Sequence, residues 1–151
     1  MDYREYIYDK FIFKVRKGIY YHKDGCWAEI DGNVATIGVT DFFQTLNGDV
    51  ANVSLFGDGV NINQDEAFGD IETMKVSVEL ISPVFGKIAK HNDKTIDMPE
   101  LVNSDPYGDG WLIKAEVKNF ESAQTNLMDS DKYFDYMKAR VDEEGKGLGK
   151  E

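Results

Sequence analysis

Short apolar runs alternate with turn residues along most of the chain, and a helical period emerges only towards the C-terminus. Between residues 50 and 88, the runs 50–56, 60–62, 68–74, 76–81 and 84–88 are separated by Gly, Asp and Asn. Each half-buried strand needs a second layer over its apolar face, so evenly spaced short strands predict a small sandwich or flattened barrel. Upstream, residues 11–17 (Phe-Ile-Phe-Lys-Val-Arg-Lys) read as a strand ending at Gly18. Residues 20–21 and 26–30 lead through Asp31-Gly32-Asn33 to a return strand at 34–37, a hairpin signature built on residues that suit tight turns.

Helices are few. A side-chain oxygen of Thr40 or Asp41 can accept from the free N–H groups of a first turn, which predicts a short helix to Leu46 ended by Asn47-Gly48. The polar stretch 92–110 predicts a loop with one helical turn at 99–102, followed by a strand at 111–117. The period then changes: Phe120, Ala123, Leu127, Tyr133, Tyr136 and Met137 recur near helical spacing, and Asp129-Ser130-Asp131 can cap a final helix. The expected fold is mainly β, with short helices and a C-terminal helical segment. One domain is expected over 1–141, with 1–18 as an N-terminal extension that adds an edge strand, and 142–151 as a frayed tail.

A length of 151 residues suits that single domain and one cooperative core. The net charge of −11 disfavours nucleic acid and anionic membranes, whose binding draws on Lys and Arg, and favours proteins with basic docking surfaces. No apolar stretch approaches the ~20 residues of a membrane span. Residues 1–5 lack the pattern of a secretory or transit peptide, so a cytoplasmic location is expected. A single Cys26 with only His22 and His91 offers no three- or four-ligand metal set. Neither histidine is expected to carry acid–base chemistry; both read as solvated surface.

The chemically informative segment is 68–86. Two β-prone runs meet at Met74-Lys75 with no Gly or Pro between them, which predicts a tight hairpin with Lys75 at its tip. On the second arm Val76, Val78 and Leu80 share one face, and Ser77 and Glu79 the other. A lysine on a rigid tip suits a prosthetic-arm carrier, because its amine must enter a ligase and later present a tether to other enzymes. On spacing alone, a solvated turn lysine is the commoner case.

Glu72-Thr73-Met74-Lys75, followed by Ile81-Ser82-Pro83-Val84-Phe85-Gly86-Lys87-Ile88, resembles the E-S-V-K then A-P-V-S-G-x-V pattern of glycine cleavage system H proteins. Three further stretches agree in order: Val34 to Asp41 with Gln44 and Gly48-Asp49; Pro99 to Trp111; and Leu127-Met128-Asp129 before Tyr133. The resemblance implies a lipoyl-domain-like barrel-sandwich hybrid whose Lys75 carries lipoate in amide linkage. It implies that Glu72, Thr73 and Met74 serve ligase recognition or docking, and that Cys26, Trp27, Asn103, Tyr107 and Trp111 line a cleft beside the arm. A lipoyl carrier has no turnover of its own. Its expected partners are a lipoate ligase or lipoyl transferase, glycine decarboxylase (P protein), aminomethyltransferase (T protein) and dihydrolipoyl dehydrogenase (L protein), between which it shuttles an aminomethyl group.

Two stretches depart from the family pattern. Asp24-Gly25-Cys26-Trp27 stands where Ser-His-Glu-Trp is usual, and the short helix carries Phe42, Phe43 and Leu46 where polar or His residues are common. A more apolar cleft or a different lipoate-dependent pathway is the alternative these changes raise. Met74 before the lysine also resembles biotinyl domains, which keeps a biotin carrier open, and a non-acylated interaction module is the remaining alternative.

Overall fold

The computed structural model describes residues 2–145. In chain order the elements are β1 (Tyr3–Tyr8), β2 (Phe11–Arg16), β3 (Tyr20–Tyr21), β4 (Cys26–Asp31), β5 (Val34–Val39), α1 (Asp41–Asn47), β6 (Val50–Leu55) and β7 (Asn61–Ile62). They continue with β8 (Ala67–Thr73), β9 (Ser77–Ile81), β10 (Phe85–His91), α2 (Asp93–Asp97), α3 (Leu101–Ser104), β11 (Ile113–Lys118), α4 (Phe120–Gln124) and α5 (Ser130–Glu144). A six-stranded sheet in the order β3-β4-β5-β11-β10-β7 and a three-stranded sheet β6-β8-β9 share one aliphatic core. Ala28, Ile37, Ile88 and Ile113 meet Val53, Ile71 and Leu80 across it, so the mainly β sandwich read from the sequence is the fold.

The single core expected from length is instead two clusters. Period-2 alternation in β4 sends Cys26 and Ala28 into the aliphatic core and Trp27 to the opposite face. There Trp27 joins Phe13, Tyr21, Phe42, Tyr107, Tyr133 and Met137 in a second, mainly aromatic cluster covered by α5. A helix is what roofs this face of the sheet.

The N-terminal extension is not an edge strand of the large sheet. β1 and β2 pair with each other, Tyr8 facing Phe11 across the turn Asp9-Lys10, where Asp9 takes φ +53°. The outer edge of β2 is satisfied by side chains instead of a third strand. Asp41 Oδ2 accepts from Lys14 N at 2.8 Å, Tyr107 Oη donates to Lys14 O at 2.8 Å, and Tyr21 Oη donates to Arg16 O at 2.5 Å. A strand edge whose polar groups are already paired has no need of the sheet.

Three other expectations change. The stretch 92–110 holds two helices, because Asn92 Oδ1 accepts from Lys94 N and starts α2 ahead of α3. Residues 142–144 belong to α5, held by buried Val141 and the Arg140–Glu144 pair at 3.1 Å; residues 146–151 lie outside the described residues. His22 is buried, not solvated: Asp24 N donates to its Nδ1 at 3.0 Å, which leaves Nε2 to face Asp65 Oδ1 at 2.6 Å.

Candidate functional site

The β8–β9 hairpin turns at Thr73-Met74-Lys75-Val76 without glycine and without a positive φ. The Thr73 side chain makes this possible. Its Oγ1 accepts from Lys75 N and Val76 N, both at 3.1 Å, while Thr73 N donates to Val76 O at 2.8 Å. A hydroxyl in this position mimics a backbone turn and fixes the tip locally. Lys75 is exposed, and Met74 beside it is 81% exposed. Alternation holds below the tip, with Val78 and Leu80 turned inward and Ser77 and Glu79 outward; Val76, on the turn itself, is exposed.

The tip rests on the last turn of α1 and the segment that follows it. Met74 N donates to Asp49 O at 3.2 Å, and Lys75 Nζ donates to Leu46 O at 3.4 Å. Thr40 Oγ1 caps the start of α1 by accepting from Phe43 N, and Gly48 at φ +89° closes its end, returning its N–H to Gln44 O. Asn103 on α3 clamps this support. Its Nδ2 donates to Gly48 O and Gln44 Oε1, each at 3.0 Å, and its Oδ1 accepts from Val50 N at 2.9 Å.

Lys75 opens onto a cavity of about 490 Å³ shared with Phe11, Gln44, Asp49, Met74 and Asn103. Of the residues expected around the arm, the structure gathers Met74 and Asn103 here, with Glu72 and Thr73 on the strand below. The others lie elsewhere. Cys26 is buried in the aliphatic core, and burial pushes its thiol up to about 12, so it holds its proton and is a poor nucleophile at neutral pH. Trp27 is buried in the aromatic cluster, its Nε1 donating to Val39 O at 2.9 Å and Pro106 O at 3.1 Å. Tyr107 fastens β2, and Trp111 lies under Lys114, whose Nζ is 5.1 Å from the indole centroid. These large aromatics pack elements together instead of facing the tip.

Phe11, Gln44 and Asp49 escaped the reading of individual site residues. Gln44 and Asp49 sit in a block that resembles the family, which was the available signal; Phe11, in a strand before those blocks, had none. The two departures from the family pattern meet on another face of α1, around a pocket of about 170 Å³ lined by Asp24, Gly25, Phe42, Phe43, Leu46 and Arg140. They are coupled: Gly25, at φ +106°, lies so close to the Phe43 ring that a Cβ there would collide with it. A bulky Phe43 therefore requires the glycine.

A two-sheet sandwich presenting a lysine on a side-chain-locked hairpin tip, over a cavity fixed by a polar clamp, is the framework of a prosthetic-group carrier. Residues 19–140 match the model of the glycine cleavage H-protein family. The chain is 40% identical over 119 residues to the glycine cleavage system H protein of Carboxydothermus hydrogenoformans, covering 79% of this chain and 91% of that one. It is 43% identical over 119 residues to the mitochondrial glycine cleavage system H protein 2 of Arabidopsis thaliana, covering 79% and 76% respectively. The crystal structure of a glycine cleavage system H protein from Mycobacterium marinum superposes with a TM-score of 0.69 at 26% identity, covering 79% of this chain and 95% of that one. The chain belongs to the glycine cleavage H-protein family. Its role is that of a lipoyl carrier in glycine cleavage, not of an enzyme.

Proposed function

We propose that Lys75 is the residue that carries lipoate, and that the β8–β9 tip is what a lipoate ligase or lipoyl transferase grips. The observation that carries this reading is the exposed Lys75 on a turn closed by Thr73 Oγ1. The locked turn holds the amine out from the sandwich, while exposed Glu72 and Met74 offer a carboxylate and an apolar side chain for the modifying enzyme. The residues present fit the group: the adjacent cavity combines apolar Phe11 and Met74 with the Asn103 amide, suited to an aliphatic chain ending in a disulfide ring. Once joined to Lys75 by an amide, lipoate supplies the dithiolane on which an aminomethyl group is accepted and passed on.

This chain's own part is positional. The Asn103 clamp fixes the support under the tip, and the tether raises the local concentration of the arm at any enzyme that docks. The partners in this reading are glycine decarboxylase, aminomethyltransferase and dihydrolipoyl dehydrogenase, met in the cytoplasm through the acidic surface that a net charge of −11 provides.

Peptide mass spectrometry after incubation with a lipoate ligase, lipoate and ATP tests the assignment. A lipoyl mass increment on the peptide holding Lys75, absent from Lys75→Arg, is the expected result. An increment on another lysine, or a biotin-sized increment in native material, would sink it.

A further inference from the structure

The hairpin β1–β2 precedes the family match, which begins at residue 19, yet it is fastened at many points. Besides the bonds along β2, Arg16 pairs with Glu29 at 2.6 Å, Arg4 with Asp131 at 3.1 Å, and Tyr6 Oη donates to Asp142 at 2.6 Å. Phe13 meets Phe42 edge to face at 5.8 Å between centroids. Phe42, one of the departures from the family pattern, is thus an anchor for an element that the family pattern lacks.

So many attachments fix where the turn end of the hairpin lies. They bring Phe11 to the wall of the cavity that Lys75 opens onto. The Phe11 ring stacks on Phe13 at 6.0 Å and 25°, and Lys10 Nζ stands 5.6 Å from its centroid, so its position is supported from within the hairpin. Gln44, Thr45, Asp49 and Asn103 are polar; Phe11 and the 81% exposed Met74 are the large apolar surfaces of this cavity. The smaller pocket at Phe42 and Phe43 does not include Lys75.

We propose that the N-terminal hairpin is a built-in rest for the lipoyl arm, with the Phe11 ring as the surface on which the dithiolane lies. The proposal rests on Lys75 being the lipoylated residue. Sulfur against the edge of an aromatic ring is a favourable contact. Because the arm is tethered at the cavity itself, even a weak contact holds it for much of the time, since no translational entropy is lost on docking. The rest shields the disulfide from solvent reagents between enzymes and releases it when a partner's cleft competes. The hairpin gives this carrier an arm pocket with an aromatic wall supplied from outside the matched family region.

The test uses full-length protein lipoylated with a lipoate ligase, as wild type, Phe11→Ala, Phe11→Leu and Ile12→Ala. Peptide mass spectrometry first establishes the adduct on Lys75 in each. The rate at which tris(2-carboxyethyl)phosphine reduces the dithiolane is then compared with free lipoamide. Wild type is expected to react more slowly than lipoamide, and Phe11→Ala roughly fivefold faster than wild type, the equivalent of ~1 kcal/mol of lost contact. Phe11→Leu is expected to fall between them. Ile12→Ala, from the other face of β2 where the side chain is 55% exposed, is expected to match wild type. Equal rates for wild type and both Phe11 variants, or for wild type and lipoamide, would overturn the rest while leaving Lys75 as the carrier residue. No adduct on Lys75 would overturn both.

Discussion

The two clusters of this molecule are held together in different ways. In the aliphatic core, side chains such as Ile37, Ile71, Leu80 and Ile88 fill space between two sheets and carry no polar atoms to satisfy. In the aromatic cluster Phe13, Phe42 and Phe134 are joined by four large rings whose polar tips have named partners: Trp27 to Val39 O, Tyr21 to Arg16 O, Tyr107 to Lys14 O and Tyr133 to Thr40 Oγ1. Two of these acceptors are backbone carbonyls of β2. Nondirectional burial suffices where strands already fix the geometry. Attaching a separate hairpin at one orientation takes directional bonds as well.

If that contrast is right, Trp27→Ala is the most damaging single change in the aromatic cluster, at ~3–5 kcal/mol, because it empties a large volume and leaves two carbonyls unpaired. Leu80→Ala in the aliphatic core is expected to cost ~2–5 kcal/mol through its cavity alone. Urea unfolding measures both, and limited proteolysis separates them: Trp27→Ala exposes residues 3–16 to cleavage below the global transition, whereas Leu80→Ala does not. Equal protection of the hairpin in both variants would break the comparison.

Alkaline titration distinguishes the clusters without mutation. Burial holds the Tyr21, Tyr107 and Tyr133 hydroxyls above their ordinary value of 10.0. A raised folded pKa means their contribution is fully present below the unfolded value of 10.0 and is lost as the pH climbs above it towards the folded values. The hairpin is expected to loosen above that pH while the sandwich persists, read as tyrosinate absorbance appearing before loss of far-ultraviolet β signal. Simultaneous loss would argue that the clusters are one unit.

The smallest effect expected is Tyr133→Phe, which keeps the stacked ring 4.3 Å from Tyr21 and removes only the bond to Thr40 Oγ1. A loss of ~0.5–1.5 kcal/mol in chemical denaturation fits a single hydrogen bond. No loss at all would mean that the polar tips are incidental to the packing.

Much of this was legible in the residues. The Asp31-Gly32-Asn33 turn, the Thr40 cap, the runs from 50 to 88 and the Lys75 tip all declare themselves through local chemistry, which acts over a few positions. Helix α2 did not, since five residues with a single apolar Ile96 have no periodicity and their start depends on one Asn92 side chain. Nor did the division of 3–17 into two strands, because Asp9-Lys10 makes the turn without glycine. Around Lys75, the cavity includes Asn103, which the resemblance places near the arm, and Phe11, which no sequence signal points to. Tyr107 and Trp111, in a block that resembles the family, and Cys26 and Trp27, in a stretch that departs from it, are read from the sequence as lining the arm's cleft, whereas which face of β4 or which side of α1 a residue reaches is decided by tertiary packing.

While Lys75 carries its charge, its ammonium lies against Leu46 O near the C-terminal end of α1, where backbone carbonyls leave a partial negative charge. Lipoylation at Lys75, as proposed above, would convert that ammonium into a neutral amide, so the reaction that installed the arm would also cancel the lysine's foothold on the helix end. Unmodified and modified carriers would then differ in the lysine's resting posture as well as in mass, and a ligase that reads the pinned ammonium would lose its grip as soon as its work was done.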